Sequence, residues 1–100
     1  MYRGTTPTFV LNLEGSVDLT DAHNVYATFY QKGVTITKTG DDIEIHPTQV
    51  EVYFTQEESL KFKTGAIQIQ VNWTYSNGSR SCTDIASVSV DRNLIGEVLR

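Results

Sequence analysis

One hundred residues, 39% hydrophobic and 20% charged, with seven glycines and two prolines, have the composition of one globular domain and exclude a disordered or collagen-like chain. The formal net charge of −4 argues against non-specific binding to nucleic acid. No apolar stretch approaches the roughly 20 residues that a membrane-spanning helix needs, and no charged-then-apolar leader opens the chain.

From residue 8 onward the apolar residues recur with period two, as they do in half-buried strands. Phe9, Leu11 and Leu13 alternate with Thr8, Val10 and Asn12, and Val25, Ala27 and Phe29 with Tyr26, Thr28 and Tyr30. Val34 and Ile36, Ile43 and Ile45, and then Val50, Val52 and Phe54 continue the pattern. Turn residues separate the runs. Lys32–Gly33 suits a tight hairpin because Gly accepts positive φ. Thr39–Asp42 makes a second turn, and Pro47 in His46-Pro47-Thr48 stops a strand. Turns at intervals of about 8–12 residues predict a sandwich or barrel.

Thr55-Gln56-Glu57-Glu58 breaks the alternation. It fits a capping box, in which the Thr hydroxyl and the Glu carboxylate each satisfy a backbone N–H, and it predicts one short helical turn near 56–62. Glu57 and Glu58 then belong to the first helical turn, where the helix dipole favours them, and not to a catalytic pair.

Ile67, Ile69, Val71, Trp73 and Tyr75 alternate with polar residues up to Asn77–Gly78, a type I′ hairpin signal. Pairing Ser76 with Ser79 sets Arg80 opposite Tyr75, Cys82 opposite Trp73, Ala86 opposite Ile69 and Val88 opposite Ile67. In that register Asp84 faces Val71 and Ile85 points outward, so either a bulge lies near Thr83–Ile85 or a partner covers the outer face there. Strands of about ten residues, roughly 34 Å long, predict a tip that projects beyond the sandwich. Trp73 is expected in the core, and Tyr75 and Arg80, residue types that dominate interface energetics, at an interface. Cys82 is the only cysteine, which rules out an intrachain disulfide, suits a reducing compartment, and is expected as a small buried residue in a strand. Beyond residue 91, Leu94, Ile95, Val98 and Leu99 can share one helical face. Residues 92–100 are therefore read as a tail that docks either on its own domain or on a neighbouring chain.

The usual reaction centres are not encoded. His23 and His46 have no metal-ligand spacing, and Asp41, Asp42 and Glu44 read as a charged turn without a calcium loop. There is no G-x-S-x-G elbow and no phosphate-cradling glycine loop. The expectation is a non-enzyme with no catalytic, cofactor-binding or metal residues. Its fold is expected to be all-β, an Ig-like antiparallel β-sandwich of about seven strands forming one domain over residues 1–100. Interface candidates are Tyr75, Arg80, Ile85, Leu94, Ile95, Val98 and Leu99. A small carbohydrate- or ligand-binding module using Tyr26, Tyr30, Tyr53 and Tyr75 is the competing expectation.

Four segments carry a resemblance: Arg3-Gly-Thr-Thr-Pro-Thr8, Val25-Tyr-Ala-Thr-Phe-Tyr-Gln31, Thr55-Gln-Glu-Glu-Ser-Leu-Lys61, and Gln68-Ile-Gln-Val-Asn-Trp73 leading into Asn77–Gly78. The chain resembles small prophage-encoded proteins of low-GC Gram-positive bacteria, found among tail and baseplate genes. It also looks like the N-terminal β-sandwich domain of phage baseplate upper proteins. The resemblance implies a virion structural or assembly protein of the tail or baseplate region, assembled in the bacterial cytoplasm. Its partners would be other virion proteins or copies of itself, with no nucleic acid, membrane or cofactor. No coiled coil or fibre follows the sandwich, so a free-standing component is expected, not the anchor of a receptor-binding module. The resemblance transfers no catalytic residue.

Overall fold

The computed structural model describes residues 1–13 and 18–100. The strongest alternating runs of the sequence lie side by side. β2 (Ala22–Gln31) and β6 (Gly65–Tyr75) pair antiparallel, with Val25 opposite Trp73, Ala27 opposite Val71 and Phe29 opposite Ile69. All six side chains are buried on one face. β3 (Val34–Thr39) returns from β2 through Lys32–Gly33, where Gly33 takes φ 85°. β7 (Arg80–Cys82) and β8 (Ala86–Val90) pair with β6 on its other side. A second sheet has the order β1-β5-β4, from β1 (Thr8–Asn12), β5 (Gln49–Tyr53) and β4 (Ile43–His46). The described residues form eight strands, of which β7 and β8 follow one another along the same side of β6. The result is a two-sheet antiparallel β-sandwich. The turn at Gly40–Asp42 is a 3-10 turn that carries the chain from β3 in one sheet to β4 in the other. Asp41 and Asp42 therefore sit in a crossover and not in a hairpin.

Aromatic packing holds the sheets face to face. Phe9, Phe29 and Phe54 form a cluster with ring centroids 5.1, 5.3 and 4.7 Å apart in tilted and edge-on geometry, and Phe62 stacks on Phe54 at 6.2 Å. Such pairs contribute about 0.5–1.5 kcal/mol each beyond their burial. Phe62 is set in place by α1 (Gln56–Leu60), which the capping box starts as its sequence predicts: Thr55 Oγ1 accepts from the Glu58 N–H, and Glu58 Oε1 accepts from the Thr55 N–H. At the helix end, Arg3 donates to the carbonyls of Leu60 and Phe62, at 2.9 and 2.6 Å. Lys38 follows Val34 and Ile36 on the inner face of β3. It is buried, pairs with Glu58 at 2.6 Å, and lies 5.3 Å from the Phe54 ring centroid. Burial opposes ionisation of Glu58. The hydrogen bonds from Lys38 and the Thr55 N–H, with the Lys38 charge, outweigh that and hold its carboxyl below its usual range.

The long hairpin departs from the expected register in two places. At the tip, the Tyr75 N–H donates to the Ser79 carbonyl and the Gly78 N–H to the Tyr75 carbonyl. Gly78 has φ 86°, whereas Asn77 has no positive φ. The connection is thus a three-residue loop ending in a glycine bulge, not a two-residue type I′ turn. It shifts the tip by one residue: Trp73 faces Ser81, Thr74 faces Arg80 and Asn72 faces Cys82. Thr83–Ile85 then insert three residues against two of β6, which restores the expected pairs of Ala86 with Ile69 and Val88 with Ile67. Between the two irregularities every side chain has changed face. Cys82 is consequently exposed instead of buried, and Arg80 lies on the outer face instead of opposite Tyr75. β2 accompanies β6 as far as Tyr75, so only the Ser76–Ser79 loop extends past the sheet. Trp73 is buried as expected, and its indole N–H donates to the Tyr75 hydroxyl at 3.0 Å.

Candidate interaction groove and side-chain clusters

The N-terminal segment begins against the large sheet and ends in the small one. The Met1 carbonyl accepts from the Asp91 N–H, and the Arg3 N–H donates to the Asp91 carbonyl, so residues 1–3 flank the end of β8. Residues 8–12 then pair with β5 instead. Where β1 has left the large sheet, a groove of about 620 Å³ lies between β1 and the β7–β8 strand. Ile69, Val71 and Trp73 line it from β6, Leu11 from β1, Leu13 from just beyond β1, and Ile85 from the bulge. Among the described residues, neither β1 nor β7 has a strand partner on its other side. Free strand edges of this kind accept an added strand through their main-chain N–H and C=O groups.

Thr83 shapes that rim. Its N–H donates to the Val71 carbonyl, its hydroxyl oxygen accepts from the Val71 N–H at 3.1 Å, and its carbonyl accepts from Gln70 Nε2. One side chain thereby replaces a missing rung of the ladder, and Asp84 and Ile85 are released outward. The bulge alternative of the sequence reading is the one found, and Asp84 does not face Val71. Ile85 is 59% exposed.

The remaining interface candidates are dispersed. Tyr75 is half-buried and packs on the core with its hydroxyl engaged by Trp73. Arg80 is exposed and donates twice to Asn72 Oδ1. The tail forms no helix, so Leu94, Ile95, Val98 and Leu99 do not share a helical face. The tail is tied to its own domain by polar groups. Leu99 exchanges backbone hydrogen bonds with the Gln56 amide, Arg100 pairs with Glu57 at 3.1 Å, and Asn93 donates to the Arg3 carbonyl. Leu94, Ile95 and Leu99 are left 87%, 49% and 58% exposed, and Val98 is half-buried. The proposed tyrosine platform is also divided. Tyr26 and Tyr30 lie on the outer face of the large sheet, Tyr53 on that of the small sheet, and Tyr75 faces inward.

A cluster that the sequence reading missed occupies the outer face of β4–β5. Glu44 lies directly opposite Glu51, and His46 opposite Gln49. The ligating atoms of Glu44, His46 and Glu51 fall within 4.8 Å of one another. The Tyr53 hydroxyl is 3.0 Å from Glu44 Oε2 and 2.8 Å from Glu51 Oε2. Those hydrogen bonds, to Glu51 first and then Glu44, push the phenol up to about 12. The signal was present as Glu-x-His before a two-residue turn and Glu-x-Tyr after it, all at outward parity. It could be read only across the hairpin, because no single strand holds the set. Lys38 carries the inward parity of Val34 and Ile36, the signal in the sequence for its burial.

No protein-family model, no curated protein and no solved structure matches this chain.

Proposed function

We propose that the protein is a non-enzymatic structural or assembly component of a phage or prophage virion, from the tail or baseplate region, and that it works through protein–protein contacts. The observation that carries the contact reading is the groove between two free strand edges, where apolar side chains of β6 and Leu11 lie beside polar ones such as Asn12, Gln70 and Thr83, with Ile85 at the rim. A strand from a neighbouring subunit, either a copy of this chain or another virion protein, would gain main-chain hydrogen bonds from β1 or β7. It would set alternate apolar side chains into the groove. Rings of identical subunits repeat such contacts. The assignment to a virion rests on the sequence resemblance. The test is the mass of the purified chain in solution, together with its detection in particles from an induced host. Self-association or particle incorporation that Ile85→Asp abolishes is the expected result, and a strict monomer absent from particles overturns the proposal.

One observation favours the ligand-binding alternative. A depression of about 400 Å³ on the outer face brings Tyr26 together with Thr28, Thr37, Asn72 and Arg80. An aromatic face beside several hydrogen-bonding groups suits a sugar. Glycan-array binding that is lost in Tyr26→Ala would support it, and a blank array would remove it.

A further inference from the structure

We propose that Glu44, His46 and Glu51 form a binding site for a divalent transition-metal cation of the zinc class, with the Tyr53 hydroxyl as the positioning donor behind it. The site stands apart from the groove and does not depend on how the groove is used.

Three features of the hairpin support it. The first is rigidity. All four residues sit on adjacent paired strands joined by Pro47–Thr48 alone, in fixed register. The ligating atoms already lie within 4.8 Å of one another, near the spacing of ligands gathered around one ion at the roughly 2.0–2.2 Å of zinc bonds to nitrogen and oxygen. The second is uncompensated charge. Like charges directly opposite on a sheet destabilise it, yet Glu44 and Glu51 face each other. Among the described residues neither carboxylate has a Lys or Arg ion pair, and besides the Tyr53 hydroxyl the His46 imidazole approaches them, at 3.6 and 3.9 Å. The phenol carries a single proton, so it cannot donate to both carboxylates at once although it sits within reach of both. A dication placed between the carboxylates and the imidazole would neutralise the pair. The third is donor chemistry. One imidazole nitrogen with two carboxylates suits zinc, cobalt or nickel, whereas calcium and magnesium favour oxygen ligands throughout. The neutral Tyr53 phenol then keeps its proton and orients a ligating carboxylate from the second rank. Three protein ligands on an open face leave the remaining positions to water.

The experiment uses the full chain, untagged and stripped with chelator, titrated with zinc chloride by calorimetry and with cobalt(II) by visible absorption. Expected are one-to-one saturable binding, a rise in Tm with zinc, and no comparable binding of calcium or magnesium. His46→Ala and Glu51→Gln should abolish saturable binding, and Tyr53→Phe should weaken it by about tenfold. Glu44→Gln should lose binding while the metal-free protein melts no lower than wild type, because the repulsion goes with the charge. That result separates ligand loss from misfolding. His23→Ala should bind as wild type does. The proposal is overturned if zinc to millimolar concentration gives no saturable signal, if His46→Ala and Glu51→Gln still bind, if binding moves with His23, or if calcium competes equally.

Discussion

Along one edge of the sandwich, β3 passes directly into β4 through Gly40–Asp42, and the Glu58–Lys38 ion pair ties α1 to β3. Along the other, β1 and β7–β8 border an open groove. The two edges manage the same liability differently. An inward-pointing charge is a recognised obstacle to edge-to-edge pairing, since a slipped strand would strand the charge. Lys38 supplies that obstacle on β3. The β7–β8 edge carries a bulge and one acid, Asp84, but it also turns Ile85 to solvent. One edge is committed to holding the fold together, and the other is left free to accept a strand.

Substitutions at the two edges should separate stability from association. The largest loss is expected at Phe54, which touches Phe9, Phe29, Phe62 and Lys38. Phe54→Ala should cost about 3–5 kcal/mol in denaturant unfolding, enough to unfold much of a small domain. Next comes Glu58→Ala. It strands the buried Lys38 ammonium and opens the capping box, and discounted for the partial exposure of Glu58 it should cost about 2–3 kcal/mol at neutral pH. Lys38→Met should cost less, because Glu58 keeps its backbone partner and some solvent. Glu58 titrates below its ordinary value of 4.5 in the folded state. Its contribution is therefore complete above that value and is lost as pH falls through the folded pKa. The stability gap between wild type and Glu58→Gln should shrink below about pH 4.5 and close in stronger acid. Equal acid unfolding limbs throughout would contradict the pairing.

On the open edge the effects should be smaller. Thr83→Val removes the acceptor for the Val71 N–H and should cost about 1–2 kcal/mol, with faster amide exchange at Val71 as the local readout. Smallest is Ile85→Asp, expected within about 0.5 kcal/mol of wild type while abolishing any self-association. A large loss of stability there would mean that the bulge serves the core and not a partner, and would erase the contrast between the edges.

Much of the interior is readable from period two alone. Val25, Ala27, Phe29, Ile67, Ile69, Val71 and Trp73 are buried as the alternation requires. The capping box and the turns at Lys32–Gly33 and Pro47–Thr48 are local chemistry and form where the sequence puts them. What local chemistry cannot decide is how many residues a glycine turn takes. Asn77–Gly78 fits a two-residue loop and a three-residue loop equally well, since each needs positive φ at the glycine. The second is taken, with Asn77 Oδ1 accepting from both the N–H and the hydroxyl of Ser79. That one residue decided the faces of Arg80 and Cys82. The groove was visible only as its symptom, the misplaced Asp84 and Ile85. Its cause lies in the N-terminal segment changing sheets, which no pattern within one strand can report.

The shift between the two hairpin irregularities has a practical corollary. It turns the only thiol of the chain outward at Cys82, on the wall of the groove and away from the packed interior. The wild-type protein therefore comes with a single chemical handle. A fluorophore or spin label attached there would sit beside any incoming strand and report its arrival, without an engineered cysteine.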